Sequence, residues 1–309
     1  MTLDRRSLTQ MLASAGLGAL VPPNLAQAQA LAAVAQENED STRVAATRDK
    51  STRLMAPVRI NGKGPYAFLV DTGANKSCVS RELADRLNLP AGAEVSLHTM
   101  VAARTRSTIK VERLEVGTRS QRNVEIPVLP MTYPEADGVL GVDWLKAQRL
   151  VLDFKGRSLE IAAPKYESST PNRVVVPARK RSGQLTLVDA DMNGAPISAM
   201  IDSGSEISIG NNSLRRLLSR ENSGREHVER VELSSLVGEK FVGDLGYLPF
   251  MRLGGLNLGN VPVVFSESHV FALWELQSRP TIILGMDLLT QFNAVALDFG
   301  RSTVRFDVA

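Results

Sequence analysis

The amino-acid sequence predicts an all-β protein built as two pseudo-symmetric halves with a few short helices. Three observations lead there. From Leu54 onward, short apolar and β-branched runs are cut by Gly, Pro and Asn, as in LMAPVRI, then Asn61-Gly62-Lys63-Gly64, then YAFLV. That is the texture of hairpins. The same texture returns after a polar stretch, AAPKYESSTPNR (162–173), and runs to the C-terminus. Finally, 309 residues with 43% hydrophobic and 22% charged side chains suit two ordinary globular domains and exclude a disordered or collagen-like chain.

Taken in order, the chain opens with Asp4, Arg5 and Arg6, followed by residues 7–36 with no charge at all. An apolar stretch from Met11 to Val21 is stopped by Pro22-Pro23, too short to span a bilayer, and Ala26-Gln27-Ala28 and Ala28-Gln29-Ala30 fit the small-x-small rule for cleavage. Residues 1–30 are therefore expected to be a twin-arginine-like signal peptide, with export to a bacterial periplasm and no stable membrane insertion after cleavage. Residues 31–53 read as a mobile lead-in or short pro-segment. Then come a first lobe (54–163), an interdomain linker (164–182) and a second lobe (183–309). Helical pattern is brief: 81–89, 143–148, 212–220 and 287–292.

The two halves repeat each other. Asn61-Gly62 precedes Asp71 in YAFLVDTGANKS, and Asn193-Gly194 precedes Asp202 in ISAMIDSGSEIS. LEVG and NVEIPV in the first half answer to RLGG and NVPVVF in the second. DGVLGVDWL (137–145) answers to TIILGMDLL (281–289), and each half closes on Leu-Asp-Phe, at Asp153 and Asp298. The landmarks keep their order at offsets of 131 to 145 residues, so the chain is an internal duplication.

Several chemistries find no support. Lys plus Arg number 36 against 33 Asp plus Glu, and the bases are scattered, so no nucleic-acid stripe is present. Aromatics are only 5%, too few for base-stacking platforms. A single cysteine, Cys78, excludes an intrachain disulfide, and three distant histidines (His98, His227, His269) offer no metal cage. Neither a Walker A loop, a GxGxxG nor a GxSxG occurs, so no cofactor and no metal are expected.

What remains is a pair of acids at the ends of apolar runs, Asp71 after FLV and Asp202 after AMI. A carboxylate there is costly unless it has partners or a task. Each is followed by a hydroxyl and a glycine, Thr72-Gly73 and Ser203-Gly204. If the lobes pair about a pseudo-two-fold axis, the acids meet on it and share one proton. One can then act as base on a water while the other donates to a carbonyl oxygen.

With these motifs the sequence resembles the retropepsin-like and pepsin-like aspartic proteases, in a bacterial form with both lobes fused in one chain. The resemblance covers about residues 54–309 and rests on the doubled Asp-Thr/Ser-Gly together with Val139-Leu140-Gly141 and Ile283-Leu284-Gly285. It implies two acid-protease-type barrels with the active site between them and catalytic Asp71 and Asp202. Thr72, Gly73, Ala74, Ser203, Gly204 and Ser205 would support the loops, and Gly141 and Gly285 would allow a close strand crossing behind them. It also implies a flap from each lobe, sought at Thr99, Met100, Val101, Ala102 and Ala103 and at Ser235, Leu236, Val237 and Gly238. The expected activity is aspartic-type endopeptidase, acting on a peptide or protein substrate as a single chain. The alternative is a non-catalytic peptide-binding or scaffolding protein of the cell envelope.

Other residues have plainer readings. Asp143 and Asp287 read as helix caps, Asp153 and Asp298 as structural strand-closing acids, and Cys78 as a small core residue. One difference between the halves stands out: Ala74 follows the first glycine and Ser205 the second. The Ser205 hydroxyl is expected to donate to the ionised pair and lower its apparent pKa.

Overall fold

The computed structural model describes residues 41–50, 52–145, 147–181, 183–187, 189–221 and 229–308. The expected signal peptide (1–30) and the start of the expected lead-in lie outside them. Among the described residues no helix is long and apolar enough to cross a membrane.

The N-terminal lobe is a seven-stranded sheet closed on itself. Strand Leu54–Ile60 pairs with Lys63–Val70 through the Asn61-Gly62 turn and, on its other side, with Thr108–Val116. Both turn residues have positive φ (52° and 76°), which Asn and Gly tolerate best. The C-terminal lobe repeats the plan: Ser198–Ile201 pairs in parallel with Thr281–Leu284, which pairs antiparallel with Ile209–Gly210. Each lobe packs its inward apolar faces into the same main core, anchored by Phe68 and Leu83 in one half and Phe306 and Ile282 in the other.

A six-stranded antiparallel layer joins the lobes. Its centre is Arg149–Asp153 against Ala294–Asp298, one strand from each lobe. Outside them lie Ser158–Ala162 and Thr303–Asp307, and at the rims Thr42–Ala45 and Arg173–Arg181. This corrects two expected boundaries. Residues 42–48 are strands rather than a mobile lead-in, with Thr42, Val44 and Ala46 buried. Residues 173–181 are likewise a strand rather than linker. Thr42 and Arg173 stand at the same 131-residue offset as Asp71 and Asp202, so the duplication begins at the rim strand. Between the lobes, Glu167 takes an ion pair from Arg149 of the first lobe and from Arg305 of the second, which ties the short remaining linker to the shared sheet.

Helices are few and short. Arg81–Leu87 starts on Ser80, whose hydroxyl accepts the Leu83 N–H at 3.1 Å, and ends at Asn88 in the left-handed region, two residues short of the expected end. Asn212–Glu221 and Met286–Leu289 fall close to expectation, and residues 142–145 form a 3-10 turn. A helix at His269–Leu273 had no sequence signal.

Candidate active site

Strand Lys63–Val70 delivers Asp71, and Ser198–Ile201 delivers Asp202. Behind each loop a second strand crosses in parallel register, Leu140 opposite Val70 and Leu284 opposite Ile201. The crossing leaves no room for a side chain. A Cβ on Gly141 would lie 2.7 Å from the Ala74 carbonyl oxygen, and one on Gly285 would strike the Ile207 backbone. The N–H of each glycine donates to a serine hydroxyl, Gly141 to Ser77 at 3.0 Å and Gly285 to Ser208 at 3.1 Å. Those hydroxyls in turn donate to Asp143 (2.7 Å) and Asp287 (2.8 Å), which also accept the Ser77 and Ser208 N–H groups. Asp143 and Asp287 were expected to cap helices. Their main task is to anchor the chain leaving each acid loop, and the short helix at 286 begins on Gly285 instead.

Thr72 and Ser203 interlock the two loops across the lobe boundary. Thr72 Oγ1 donates to the Ile201 carbonyl at 2.9 Å and accepts the Ser203 N–H at 3.0 Å. Ser203 Oγ donates to the Val70 carbonyl at 2.7 Å and accepts the Thr72 N–H at 3.1 Å. Both side chains are buried, so every one of these groups would be unsatisfied without its partner. Thr72→Val keeps the shape but strips both bonds its hydroxyl makes, leaving a buried N–H and a buried carbonyl unpaired. The expected loss is about 2–4 kcal/mol of unfolding free energy, at about 1–3 for each orphaned group, read by chemical denaturation of wild type and variant.

The acids face each other over two glycines. A Cβ on Gly73 would lie 2.6 Å from the Asp202 carboxylate, and one on Gly204 would run into that of Asp71. Asp71 Oδ1 accepts the N–H of Gly73 (2.8 Å) and of Ala74 (2.9 Å), and Asp202 Oδ1 accepts the Gly204 N–H at 2.9 Å. Asp202 is buried and Asp71 partly exposed. Burial, the neighbouring Asp202 charge and the hydrogen bond between the two acids hold Asp71 well above the usual carboxylate range, against the pull of the two backbone donors. Burial also raises Asp202, opposed by the Gly204 N–H, the Asp71 side chain and the Ser205 N–H. Two carboxyl groups held this close each oppose the ionisation of the other.

The Ser205 hydroxyl does not serve the pair. It donates its only proton to the Ile207 carbonyl at 2.7 Å, a local bond two residues along its own loop. That hydroxyl does not tune the pair as expected; the Gly204 N–H, ahead of the Ser205 N–H, favours ionised Asp202. Cys78 is buried, and burial together with the Asp143 and Asp71 charges pushes its thiol far up, which leaves no thiolate for chemistry.

Both flap segments are hairpins. Val95–His98 pairs with Ala103–Arg106 around a tip of Thr99, Met100, Val101 and Ala102. Glu229–Ser234 pairs with the start of Lys240–Leu253 around Ser235, Leu236, Val237 and Gly238. Each tip reaches the opposite lobe. Met100 packs on the apolar cluster of Met200, Ile209, Phe271 and Ile283, and its carbonyl accepts the His269 N–H at 2.9 Å. Leu236 and Val237 pack on Cys78, Leu129 and Val139, which also take Ala74 of the first acid loop, and the Leu236 carbonyl accepts the Thr132 N–H at 3.1 Å. The hairpins also hold each other: Thr99 Oγ1 donates to Glu239 at 2.6 Å and Arg104 Nε donates to its other oxygen at 3.2 Å.

Comparison with known families agrees with the duplicated plan. A family model described as gag-polyprotein putative aspartyl protease matches residues 56–147, and one described as aspartyl protease matches residues 188–288. Each match holds one Asp-Thr/Ser-Gly loop and one crossing strand, and together they span well over half of the chain. The chain belongs to the aspartyl proteases. It carries two of their domains in tandem, and its mostly β, two-lobed architecture matches their two-lobe fold. A search of curated proteins found no match to this aspartyl protease.

Four residues at the centre of this aspartyl protease had drawn no attention in the sequence: Ser77 and Ser208 behind the loops, and Arg53 and Gln184 at their flanks. Each pair keeps the 131-residue offset of the two acids, and that recurrence was the signal available to find them.

Proposed function

We propose that the protein is an aspartic endopeptidase in which Asp71 and Asp202, one from each lobe of a single chain, activate a water for attack on a peptide bond. The reading is carried by one observation: two buried or partly buried carboxyl groups face each other across Gly73 and Gly204, fed by backbone N–H donors, with hairpins from both lobes above. In the singly protonated pair, the ionised acid takes a proton from water as the oxygen attacks the carbonyl carbon. The protonated acid gives its proton to the carbonyl oxygen, forming a neutral gem-diol. On collapse, the first acid passes its proton to the leaving nitrogen and a diol hydroxyl returns its proton to the second, which restores the pair. The rate falls at low pH, where both acids are protonated. It falls again at higher pH, where the pair, raised by burial, loses its remaining proton. The amino-terminal pattern of Arg5-Arg6, an uncharged apolar stretch and Ala-x-Ala supports export of this hydrolase to a periplasm.

Because both acids come from one chain, activity requires no second copy. Specific activity is expected to stay constant on dilution, and mixing an Asp71→Asn chain with an Asp202→Asn chain is expected to restore nothing. Recovered peptide hydrolysis in the mixture would show a site assembled between chains.

A further inference from the structure

The first hairpin meets the second lobe through two imidazoles. His98 ends strand Val95–His98 at the base of the tip, and His269 opens the helix His269–Leu273. His98 Nδ1 lies 2.9 Å from His269 Nε2, and the rings are parallel within 6° with centroids 5.2 Å apart. Nitrogens that close, on rings whose centres are that far apart, place the rings edge to edge in one plane. That is the geometry of an N–H···N hydrogen bond rather than of face-to-face stacking.

The bond closes over a docked tip. The His269 N–H donates to the Met100 carbonyl at 2.9 Å, and the Met100 side chain packs with Met200, Ile209, Phe271, Trp274 and Ile283. Ile207 of the second acid loop joins the same cluster, so the tip rests beside the loop that carries Asp202. The Thr99 N–H donates to the Ala102 carbonyl at 2.9 Å, which closes the tip on itself and lets it move as one unit. An N–H···N bond needs one ring nitrogen without a proton. The pair accommodates one added proton, with the imidazolium as donor. A second sets two N–H groups and two positive charges head to head.

We propose that His98 and His269 form a proton-sensitive clasp, which keeps the first hairpin tip docked on the second lobe until both rings are charged and then releases it. The charged groups on the surrounding elements are Arg104 and Arg106 on the strand paired with Val95–His98, Glu239 of the second hairpin, and Glu267 ahead of the helix. Arg104 and Arg106 stand opposite Leu97 and Val95, on the hairpin face away from His98, and Glu239 takes Arg104 there. Among the described residues no carboxylate forms an ion pair with either ring, so nothing compensates a second charge. Free imidazole takes its proton near pH ~6.5, so release is expected on acidification from neutral pH. That is the direction in which the acid pair regains its proton.

Only the kinetic consequence rests on the peptidase reading; the docking of the tip is measurable without substrate. The test follows the Met100 methyl group by NMR in the full chain, carbon-13-labelled at methionine, between about pH 7.5 and about pH 5. Beside the Phe271 and Trp274 rings that methyl carries a ring-current shift, which it loses on release. Met100→Leu identifies the signal, and Met192 and Met251 in the main core report that the fold is intact. In wild type the Met100 signal is expected to move to that of an exposed methionine as pH falls, with Met192 and Met251 unmoved. His98→Gln and His269→Gln, singly and together, keep a hydrogen-bonding partner that takes no charge, and are expected to hold the tip docked throughout. His98 is exposed and His269 half-buried, so neither glutamine disturbs the core. Glu239→Gln, which removes the charge on the other face of the hairpin, is expected to keep the wild-type response. Where peptide is cleaved, wild-type kcat/KM at about pH 5 is expected to exceed that of the double glutamine variant by about threefold or more, with no difference near neutrality. A wild-type tip that stays docked across the range, glutamine variants that release it as wild type does, or a response lost in Glu239→Gln overturns the clasp. A wild type that cleaves no peptide, yet releases the tip as expected, refutes the peptidase reading and leaves the clasp standing.

Discussion

Asp71→Asn is expected to abolish peptide hydrolysis and, near neutral pH, to make the protein more stable. The loss follows from removing one member of an acid–base couple, with at least about 10³- to 10⁴-fold expected in kcat. Asp202→Asn is expected to be as severe, because neither lobe holds a complete site. The gain follows from the raised pKa of Asp71. Between the unfolded-state value near 4 and the folded value, the folded protein binds more protons than the unfolded chain, so stability falls as pH rises through that window. Below it, the acid is protonated in both states and the strain of ionisation is absent. Asparagine never ionises, so the variant is expected to match wild type near pH 3 and to exceed it progressively towards pH 7. The gap opens through that window and is read as a difference in Tm that grows with pH. Thermal unfolding of both proteins across pH checks it; parallel curves would mean that Asp71 is not held protonated.

The second large effect concerns the glycines that floor the pair. Gly204 lies against the Asp71 carboxylate and Gly73 against that of Asp202, with no space for a methyl group. The neighbours are the reacting groups themselves, and the loops cannot retreat because Thr72 and Ser203 interlock them. Gly204→Ala and Gly73→Ala must therefore push an acid out of line or pry the lobes apart. Misplacement of a catalytic group by an ångström costs about 10²-fold, so each alanine is expected to lower kcat/KM by about 10² or more. Gly259→Ala, where a Cβ would come no closer than 3.8 Å to the Pro249 carbonyl oxygen, serves as a remote control for loss of a glycine alone. Full activity in Gly204→Ala would show that the carboxyl groups do not approach as closely as described.

Much of this was legible in the residues because the chain says most things twice. One Asp-Thr-Gly is a weak signal, but a second at a fixed offset, followed in both halves by a hydrophobic-Leu-Gly segment, fixed the topology of both lobes and their crossing strands. The rim strand Thr42–Ala45 escaped notice because four residues, alternating buried and exposed, leave no hydrophobic run. Residues 173–181 misled for the opposite reason: three valines are followed by Pro177 and a basic cluster, which read as a solvated linker, yet the segment is a strand that pairs with Thr303–Asp307 of the shared layer and, at its far end, with Gln184–Leu187. Ser205 shows a different limit. Its hydroxyl had two acceptors within reach, and only coordinates reveal that the local carbonyl of Ile207 takes it. Arg53 and Gln184 share a position but not a chemistry, so pattern matching on residue type passes over them. The contacts between the flap tips and the opposite lobes depend on tertiary placement alone.

The most direct test is incubation of the mature chain with a mixed peptide library at mildly acidic pH, beside Asp71→Asn prepared in the same way, with fragments identified by mass. Cleavage of peptides by wild type, and none by the variant, is the predicted result. Equal cleavage by both, or none by a folded wild type anywhere between pH 3 and 7, would contradict catalysis by the shared-proton pair.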